Sequence, residues 1–209
     1  PTGNFGDVYA GYLAKKLGLP INKLIVATNQ NDILHRAISK GKYEAEHVSE
    51  TISPSMDIQI ASNFERLIYD LNNHDSSQTL DDMKHIKHNG KYIIDDDKLK
   101  KINQDFLSAR MSEQETLDVI KNTYKKYNMV LDPHTAIGYG AFDKQNLKGN
   151  NIVLATAHPC KFPDAILKAI NLKSDLPDEL KFVLDEKENY SIIDNNLKKI
   201  KQYILGKIL

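Results

Sequence analysis

The short apolar run LIVAT, Leu24–Thr28, constrains the fold more than any other stretch of this chain. It is rich in β-branched residues and contains no charged ones, which is typical of a strand buried on both faces of a parallel sheet. Helices are predicted on either side of it, over Val8–Leu17 and over Ile33–Ser39, the second ending at Gly41. This order predicts an α/β fold with a doubly wound, mainly parallel sheet and flanking helices.

Further elements follow along the chain. A second buried strand is predicted over Asn151–Pro159, NIVLATAHP. Helices are predicted from Ser55 to Leu71, from Thr116 to Tyr127 after a Ser112/Glu115 capping box, from Pro133 to Phe142, and over Asp164–Ile170. Residues 81–111 are rich in lysine and aspartate, and we expect a small helical excursion outside the core there. Residues 175–209 are expected to form a C-terminal helical tail, with helices over Asp178–Leu184 and Asp194–Leu205.

Composition limits the classes of partner. The 209 residues carry 28 Lys+Arg and 28 Asp+Glu, so charge gives no argument for nucleic acid or a membrane surface as a partner. No apolar run approaches the ~20 residues that span a bilayer. The single Cys160 rules out an internal disulfide framework and fits a reducing compartment, so a cytoplasmic location is expected. The seven histidines are scattered, and no metal site is expected.

The first candidate site is the loop Gly3-Asn4-Phe5-Gly6-Asp7, which runs straight into the first helix. Backbone N–H groups at a helix N-terminus lack intrahelical partners and lie in the positive end of the helix dipole, so they can bind an anion. Two glycines let such a backbone approach a phosphate closely. A tight turn with a good cap is the alternative interpretation of the same pattern.

Two further candidates are weaker when taken alone. Thr156 follows the second predicted strand, at the sheet edge where α/β proteins bind ligands, and its hydroxyl can hydrogen-bond a ring nitrogen. The alternative is a Thr that caps the next turn. Ser55 is predicted to cap a helix whose flank carries Asn63 and Arg66, and these could bind a phosphate or carboxylate. A surface ion pair between Arg66 and Asp70 is equally compatible with the spacing.

Four segments in this order resemble the carboxyl-terminal half of the threonine synthases, pyridoxal-phosphate enzymes of the fold type II (tryptophan synthase β-like) group. The segments are PTGNFGDVYAGYLAKKLGLPINKLIVATNQND, SPSMDIQIASNFERLIYDL, DPHTAIGYGAF and LATAHPCKFPDAI. The resemblance runs from Pro1 to about Ile166. It implies that residues 1–209 form the C-terminal part of a pyridoxal-phosphate-dependent domain.

The resemblance also implies a reaction, in which O-phosphohomoserine and water become L-threonine and phosphate. It implies that the coenzyme phosphate binds to the loop Gly3–Asp7 and that the hydroxyl of Thr156 meets the pyridine nitrogen. Ser55, Asn63 and Arg66 are then candidates for binding the phosphorylated substrate, because such a substrate needs a second anion site.

One departure from the family limits this interpretation. The family carries its Schiff-base lysine in a Ser-Phe-Lys-Asp motif, and no such motif occurs here. We therefore expect the chain to be a fragment, inactive without the amino-terminal half of the same enzyme. The alternatives are a sibling fold type II enzyme, such as a serine/threonine dehydratase or a cysteine synthase, and a non-enzymatic domain on the same scaffold.

Overall fold

The computed structural model describes residues 1–208, which divide into two compact units, Pro1–Ser174 and a second unit that begins at Asp175. The helices of the first unit are α1 (Gly6–Lys16), α2 (Ile33–Lys40), α3 (Phe64–Leu71), α4 (Ser76–Asn89), α5 (Asp96–Asp105), α6 (Glu113–Tyr127), α7 (Pro133–Gln145) and α8 (Pro163–Ile170). Its strands are β1 (Leu24–Thr28), β2 (Lys42–Glu44), β3 (Lys91–Ile93) and β4 (Phe106–Arg110). Short 3-10 helices cover Pro54–Met56 and Pro159–Lys161.

The centre of the first unit is a parallel pair of strands. β1 lies beside β4 with Leu24 opposite Phe106 and Thr28 opposite Arg110, and β2 and β3 form a separate antiparallel pair. Successive side chains of a strand point to opposite faces. Val26 accordingly packs with α1, α2 and α3, whereas Ala27 packs against Ile137 of α7. The sheet therefore has helices on both faces, and the prediction of an α/β fold with a parallel sheet and flanking helices is confirmed.

The helix ends agree with the predicted caps. Asp132 accepts hydrogen bonds from the first amides of α7, and Ser112 and Glu115 form the predicted capping box of α6. α2 ends at Gly41, which has a φ of 67°. These signals are local, so the sequence alone locates the helix ends well.

Three predicted elements differ from the structure. Asn151–Pro159 is not a strand: it runs without a ladder partner among residues 1–208, and Ile152 is 90% exposed. The helix predicted from Ser55 to Leu71 begins only at Phe64, because Asp57 is held by side chains of other segments. Residues 81–111 are not wholly an excursion, because they end in β4, the partner of β1.

The second unit contains a 3-10 helix over Asp178–Leu184 and the helix α9 (Leu197–Ile208). Asn196 caps α9 by accepting a hydrogen bond from the amide of Lys198, and the hydroxyl of Tyr203 donates to Ser191. Among the described residues, no helix is long and apolar enough to cross a membrane.

Candidate functional site

A cleft of about 280 Å³ opens where four separate segments of the first unit meet. The opening loop lines one side, and Ser55, Met56 and Asn63 lie beside it. The start of α7 contributes His134, and the segment after it in the chain contributes Thr156, Ala157, Lys161 and Phe162. The cleft therefore depends on the tertiary fold, since these segments are far apart in sequence.

The opening loop presents free amide donors. Within residues 1–208, none of the backbone N–H groups from Gly3 to Val8 donates a hydrogen bond to a protein acceptor. The amides on either side are bonded, since that of Thr2 donates to the carbonyl of Ala27 and that of Tyr9 to the carbonyl of Phe5. Consecutive free amides at the positive end of a helix dipole are a suitable cradle for a phosphate.

Phe5 holds this loop in shape. Its φ of 64° is rare for a bulky residue, and its side chain is fully buried against Phe64 and Phe106. The buried ring fixes a left-handed backbone that would otherwise be unfavourable. Phe5 is thus an anchor for the loop, and its side chain does not line the cleft.

Gly3 allows the opening loop to contact the backbone of Ser55 and Met56 closely. A Cβ atom at Gly3 would lie 2.8 Å from the carbonyl oxygen of Ser55 and 2.9 Å from Cα of Met56, closer than real contacts allow. At Gly6 the nearest atom would be Nδ2 of Asn63 at 3.5 Å, which is an ordinary contact. Only the first glycine is therefore required by close packing of the backbone.

A polar cluster fixes the segment that faces Gly3. The carboxylate of Asp57 accepts hydrogen bonds from Nδ2 of Asn29 (2.7 Å) and Nδ2 of Asn31 (2.9 Å), both just after β1. The backbone amide of Thr51 donates to the same carboxylate at 2.8 Å. Because these donors are largely buried, the cluster ties Ser55 to the carboxyl end of β1.

The opposite wall is organised by Asp132. Its carboxylate, 1% exposed, accepts from the backbone amides of His134 and Thr135, from Nδ1 of His134 at 3.1 Å, and from the hydroxyl of Thr135. Burial acts to raise the pKa of Asp132, but these hydrogen bonds outweigh it, so the pKa lies below its ordinary value. The backbone amide of Thr156 in turn donates to the hydroxyl of Thr135 at 3.3 Å. This chain of bonds sets the position of Thr156 in the cleft.

Most of the predicted site residues meet at this cleft. The residues that line it are Gly3, Asn4, Gly6, Asp7, Ser55, Asn63 and Thr156. Asn4 uses its side-chain oxygen to hold Ser62 and its carbonyl to hold Asn63, so it braces the wall. Arg66 lies outside the cleft, exposed on α3.

Among the lining residues that the sequence did not predict, two have ionisable side chains, His134 and Lys161. His134 was counted among the scattered histidines, and Lys161 was read only as part of a motif. Both belong to segments that carry the family resemblance, DPHTAIGYGAF and LATAHPCKFPDAI, which was the available signal. Lys161 brings a positive charge to the cleft, which favours an anionic ligand.

These residues fit the coenzyme that the resemblance implies. The free amides of Gly3–Val8 suit its phosphate, and Thr156 is exposed and lines the cleft, with a hydroxyl that suits a ring nitrogen. The closely packed Gly3 is consistent with a backbone cradle rather than a side-chain site.

Comparison with known proteins gives the same family. The model "Threonine synthase, C-terminal" matches residues 135–204. Threonine synthase of Pseudomonas aeruginosa is 40% identical over 98% of this chain and 44% of its own length. That of Saccharomyces cerevisiae is 41% identical over 93% of this chain and 43% of its own length.

Solved structures of threonine synthases are similar to this chain as well. The crystal structure of PLP-bound threonine synthase from Brucella melitensis superposes with a TM-score of 0.88 and 43% identity, covering 98% of this chain and 44% of that one. The yeast threonine synthase structure gives a TM-score of 0.85 at 38% identity, covering 100% and 46%. The chain thus spans less than half the length of the relatives it matches. In sequence over almost its whole length, and in fold, this chain is similar to one part of the threonine synthases.

Proposed function

We propose that this chain forms one wall of the active site of a threonine synthase, which converts O-phosphohomoserine and water to L-threonine and phosphate with pyridoxal 5'-phosphate. The observation that carries the proposal is the meeting of the free amides of Gly3–Val8 with Ser55, Asn63 and Thr156 around one cleft. A phosphate cradle, a hydroxyl for a ring nitrogen and a second polar wall are what this coenzyme and a phosphorylated substrate need.

The chain's own residues have separate roles in this proposal. The amides of Gly3–Val8 bind the coenzyme phosphate, and Lys161 adds positive potential. Thr156 meets the ring nitrogen with a neutral hydroxyl instead of a carboxylate, which leaves that nitrogen weakly basic. The coenzyme supplies the electron-withdrawing ring that permits chemistry at Cα and Cβ of an amino acid.

The substrate phosphate belongs on the side of the cleft formed by Ser55 and Asn63. Both line the cleft beside the opening loop, and Nδ2 of Asn63 is already oriented by the carbonyl of Asn4 at 3.1 Å. The geometry supports Arg66 less, because it is exposed on α3 outside the cleft.

The lysine that forms the Schiff base comes, in this proposal, from residues outside this chain. No Ser-Phe-Lys-Asp motif occurs in the 209 residues, and the relatives are more than twice as long as the region they share with it. The partner of this chain is then the remainder of the same enzyme. The 209 residues alone bind the coenzyme weakly and do not turn over substrate, because the covalent anchor is missing.

The test is an assay of the whole protein that contains this chain, with O-phosphohomoserine or serine as substrate. We expect threonine and inorganic phosphate in equal amounts from the first and no deamination of the second. Deamination of serine without formation of threonine would instead identify a dehydratase of the same fold type and refute the proposal.

A further inference from the structure

His134 is a buried residue of the cleft wall with one nitrogen that no protein group satisfies. The residue is 4% exposed, and its ring packs against Phe162 with 4.7 Å between ring centroids. Its Nε2 atom is buried and has no hydrogen-bond partner among residues 1–208. His134 nonetheless lines the cleft, which places its ring beside a molecule bound there.

The chemistry of the neighbouring carboxylate decides what Nε2 can do. Nδ1 of His134 lies 3.1 Å from Oδ1 of Asp132, and an ionised carboxylate only accepts hydrogen bonds. Nδ1 must therefore carry the proton and donate it. In the neutral ring, Nε2 then presents a lone pair and acts as an acceptor.

A buried acceptor without a donor is unfavourable, and folded proteins rarely retain one. Among residues 1–208 no protein group donates to Nε2, and the hydroxyl of Thr135, the residue next in sequence, already donates to Asp132. A donor must then come from the cleft, either from a bound molecule or from a trapped water.

We propose that Nε2 of His134 accepts a hydrogen bond from an O–H or N–H group of the small molecule bound in the cleft, and that Asp132 holds the ring in the tautomer that this requires. The inference rests on the proposed function for the identity of the molecule. Pyridoxal 5'-phosphate offers a ring hydroxyl, and O-phosphohomoserine offers an ammonium group. The cradle of Gly3–Val8 orients pyridoxal 5'-phosphate by its phosphate, and Ser55 and Asn63 orient the phosphate of O-phosphohomoserine.

The decisive measurement is the ¹⁵N chemical shift of Nε2 in the histidine-labelled 209-residue chain. We expect pyridoxal 5'-phosphate to move this resonance toward lower frequency, as accepting a hydrogen bond does, while Nδ1 stays protonated. Titration with O-phosphohomoserine tells whether the substrate supplies the donor instead. Sulfate serves as the control, because it can occupy the cradle but carries no proton at neutral pH.

Two variants separate the acceptor from the rest of the ring. In His134→Asn the amide replaces Nδ1 and nothing replaces Nε2, so we expect the affinity for pyridoxal 5'-phosphate to fall about tenfold. His134→Gln places an oxygen near the position of Nε2 and retains most of the affinity. Sulfate binding stays unchanged in both variants, which shows that the cradle is folded. His85→Gln, on the exposed side of α4, is the matched control and changes neither affinity.

Asp132 is a positioning residue in this proposal, and Asp132→Asn tests it. Asn caps a helix as well as Asp does, so α7 remains folded. The capping oxygen Oδ1 is also the one that accepts from Nδ1 of His134, so the amide nitrogen of Asn takes the place of Oδ2 beside the hydroxyl of Thr135. An uncharged amide oxygen accepts from Nδ1 more weakly than a carboxylate does, so the proton is held there less strongly and the other tautomer, with the proton on Nε2, gains population. We expect the ¹⁵N spectrum to show this exchange of proton position and the affinity for pyridoxal 5'-phosphate to fall, with sulfate binding unchanged.

Several outcomes would overturn the inference. An Nε2 resonance that moves equally with sulfate, or that already reports a bonded water and stays constant, shows that no ligand group is the donor. If pyridoxal 5'-phosphate binds while neither it nor O-phosphohomoserine affects Nε2, the inference fails and the proposed function stands. If Nε2 responds but the whole protein forms no threonine, only the proposed function fails. If the chain binds sulfate but neither pyridoxal 5'-phosphate nor O-phosphohomoserine, the inference fails, and the threonine assay of the whole protein decides the proposed function separately.

Discussion

At the scale of single residues, the two glycines of the opening loop have different reasons to be glycine. Gly3 faces the backbone of Ser55 and Met56, atoms that cannot move without displacing the cluster around Asp57. Gly6 faces only the flexible side-chain amide of Asn63. The pattern Gly-x-x-Gly does not distinguish these cases, because the neighbours of each glycine come from a segment more than fifty residues away.

The first prediction compares Gly3→Ala with Gly6→Ala. The Cβ of the first variant overlaps backbone atoms, so we expect it to lower the free energy of unfolding by about 1–3 kcal/mol and to weaken sulfate binding. The second should change the free energy of unfolding by less than about 0.5 kcal/mol. Urea unfolding and a sulfate titration measure both quantities. Equal effects of the two substitutions would show that the loop does not pack as described.

At the scale of elements, the start of α6 is joined to the end of α7 through one carboxylate. Glu115 accepts from the hydroxyl of Ser112 at 2.9 Å within the capping box, and its other oxygen lies 2.7 Å from Nζ of Lys144. Hydrogen bonds from Lys144 and then from the backbone of Ser112 lower the pKa of Glu115 to about 2. Nζ of Lys144 also donates to the backbone carbonyl of Arg110, so Lys144 connects α6 and α7 to the end of β4.

The second prediction follows from the sign of this shift. Because the folded pKa lies below the ordinary value of 4.5, the unfolded chain binds more protons as the pH falls, and the contribution of Glu115 is lost between about 4.5 and about 2. Glu115→Gln keeps the capping box but removes the charge. Since Glu115 is half exposed, we expect the variant to be less stable than the parent by about 1 kcal/mol or less above pH 5. Urea unfolding from pH 7 to pH 3 should show this difference shrinking, and a constant difference would contradict the assignment.

The same scale shows what can be predicted from the sequence. Helix starts at Ser112 and Asp132 and the strand Leu24–Thr28 are marked by local chemistry, and they lie where it predicts. NIVLATAHP has the apolar run of a strand, but pairing needs a neighbour, and no local pattern reports one. β4, with the sequence FLSAR, has only a weak strand pattern and is a strand because β1 lies beside it.

The helix expected from Ser55 failed for a similar reason. Its apolar stripe continues smoothly to Leu71, so periodicity favours one helix. Asp57 instead uses its carboxylate on Asn29 and Asn31, and the chain passes through bends and a turn before α3 begins at Phe64. Tertiary hydrogen bonds of this kind override local propensity, and they cannot be read from spacing along the chain.

At the scale of the whole molecule, only the order of the motifs along the chain predicts that the residues of the cleft lie close together. Each motif alone had an ordinary structural explanation, and no composition argument placed Gly3 near Thr156. The family resemblance supplied that proximity. The sequence does not predict the buried pair of Asp132 and His134. An N-cap residue followed closely by a histidine has the same sequence pattern whether the histidine ring faces a cleft or the core.

The last prediction uses the division of the chain. Every residue that lines the cleft lies in the unit Pro1–Ser174, and α8 completes the cluster in which Ile166 packs with Ile120 and Ala136. A chain ending at Ser174 should therefore fold cooperatively and bind sulfate within about twofold of the 209-residue chain, a difference of about 0.4 kcal/mol.

A chain ending at Asn150 is the matched control. It loses Thr156, Lys161 and α8, exposes the apolar surface of α6 and α7, and should bind sulfate far more weakly. Calorimetric titration measures the sulfate affinity of both chains. If the chain ending at Ser174 also loses sulfate binding, the residues from 175 onward are needed to form the cleft, and the site is not a property of the first unit alone.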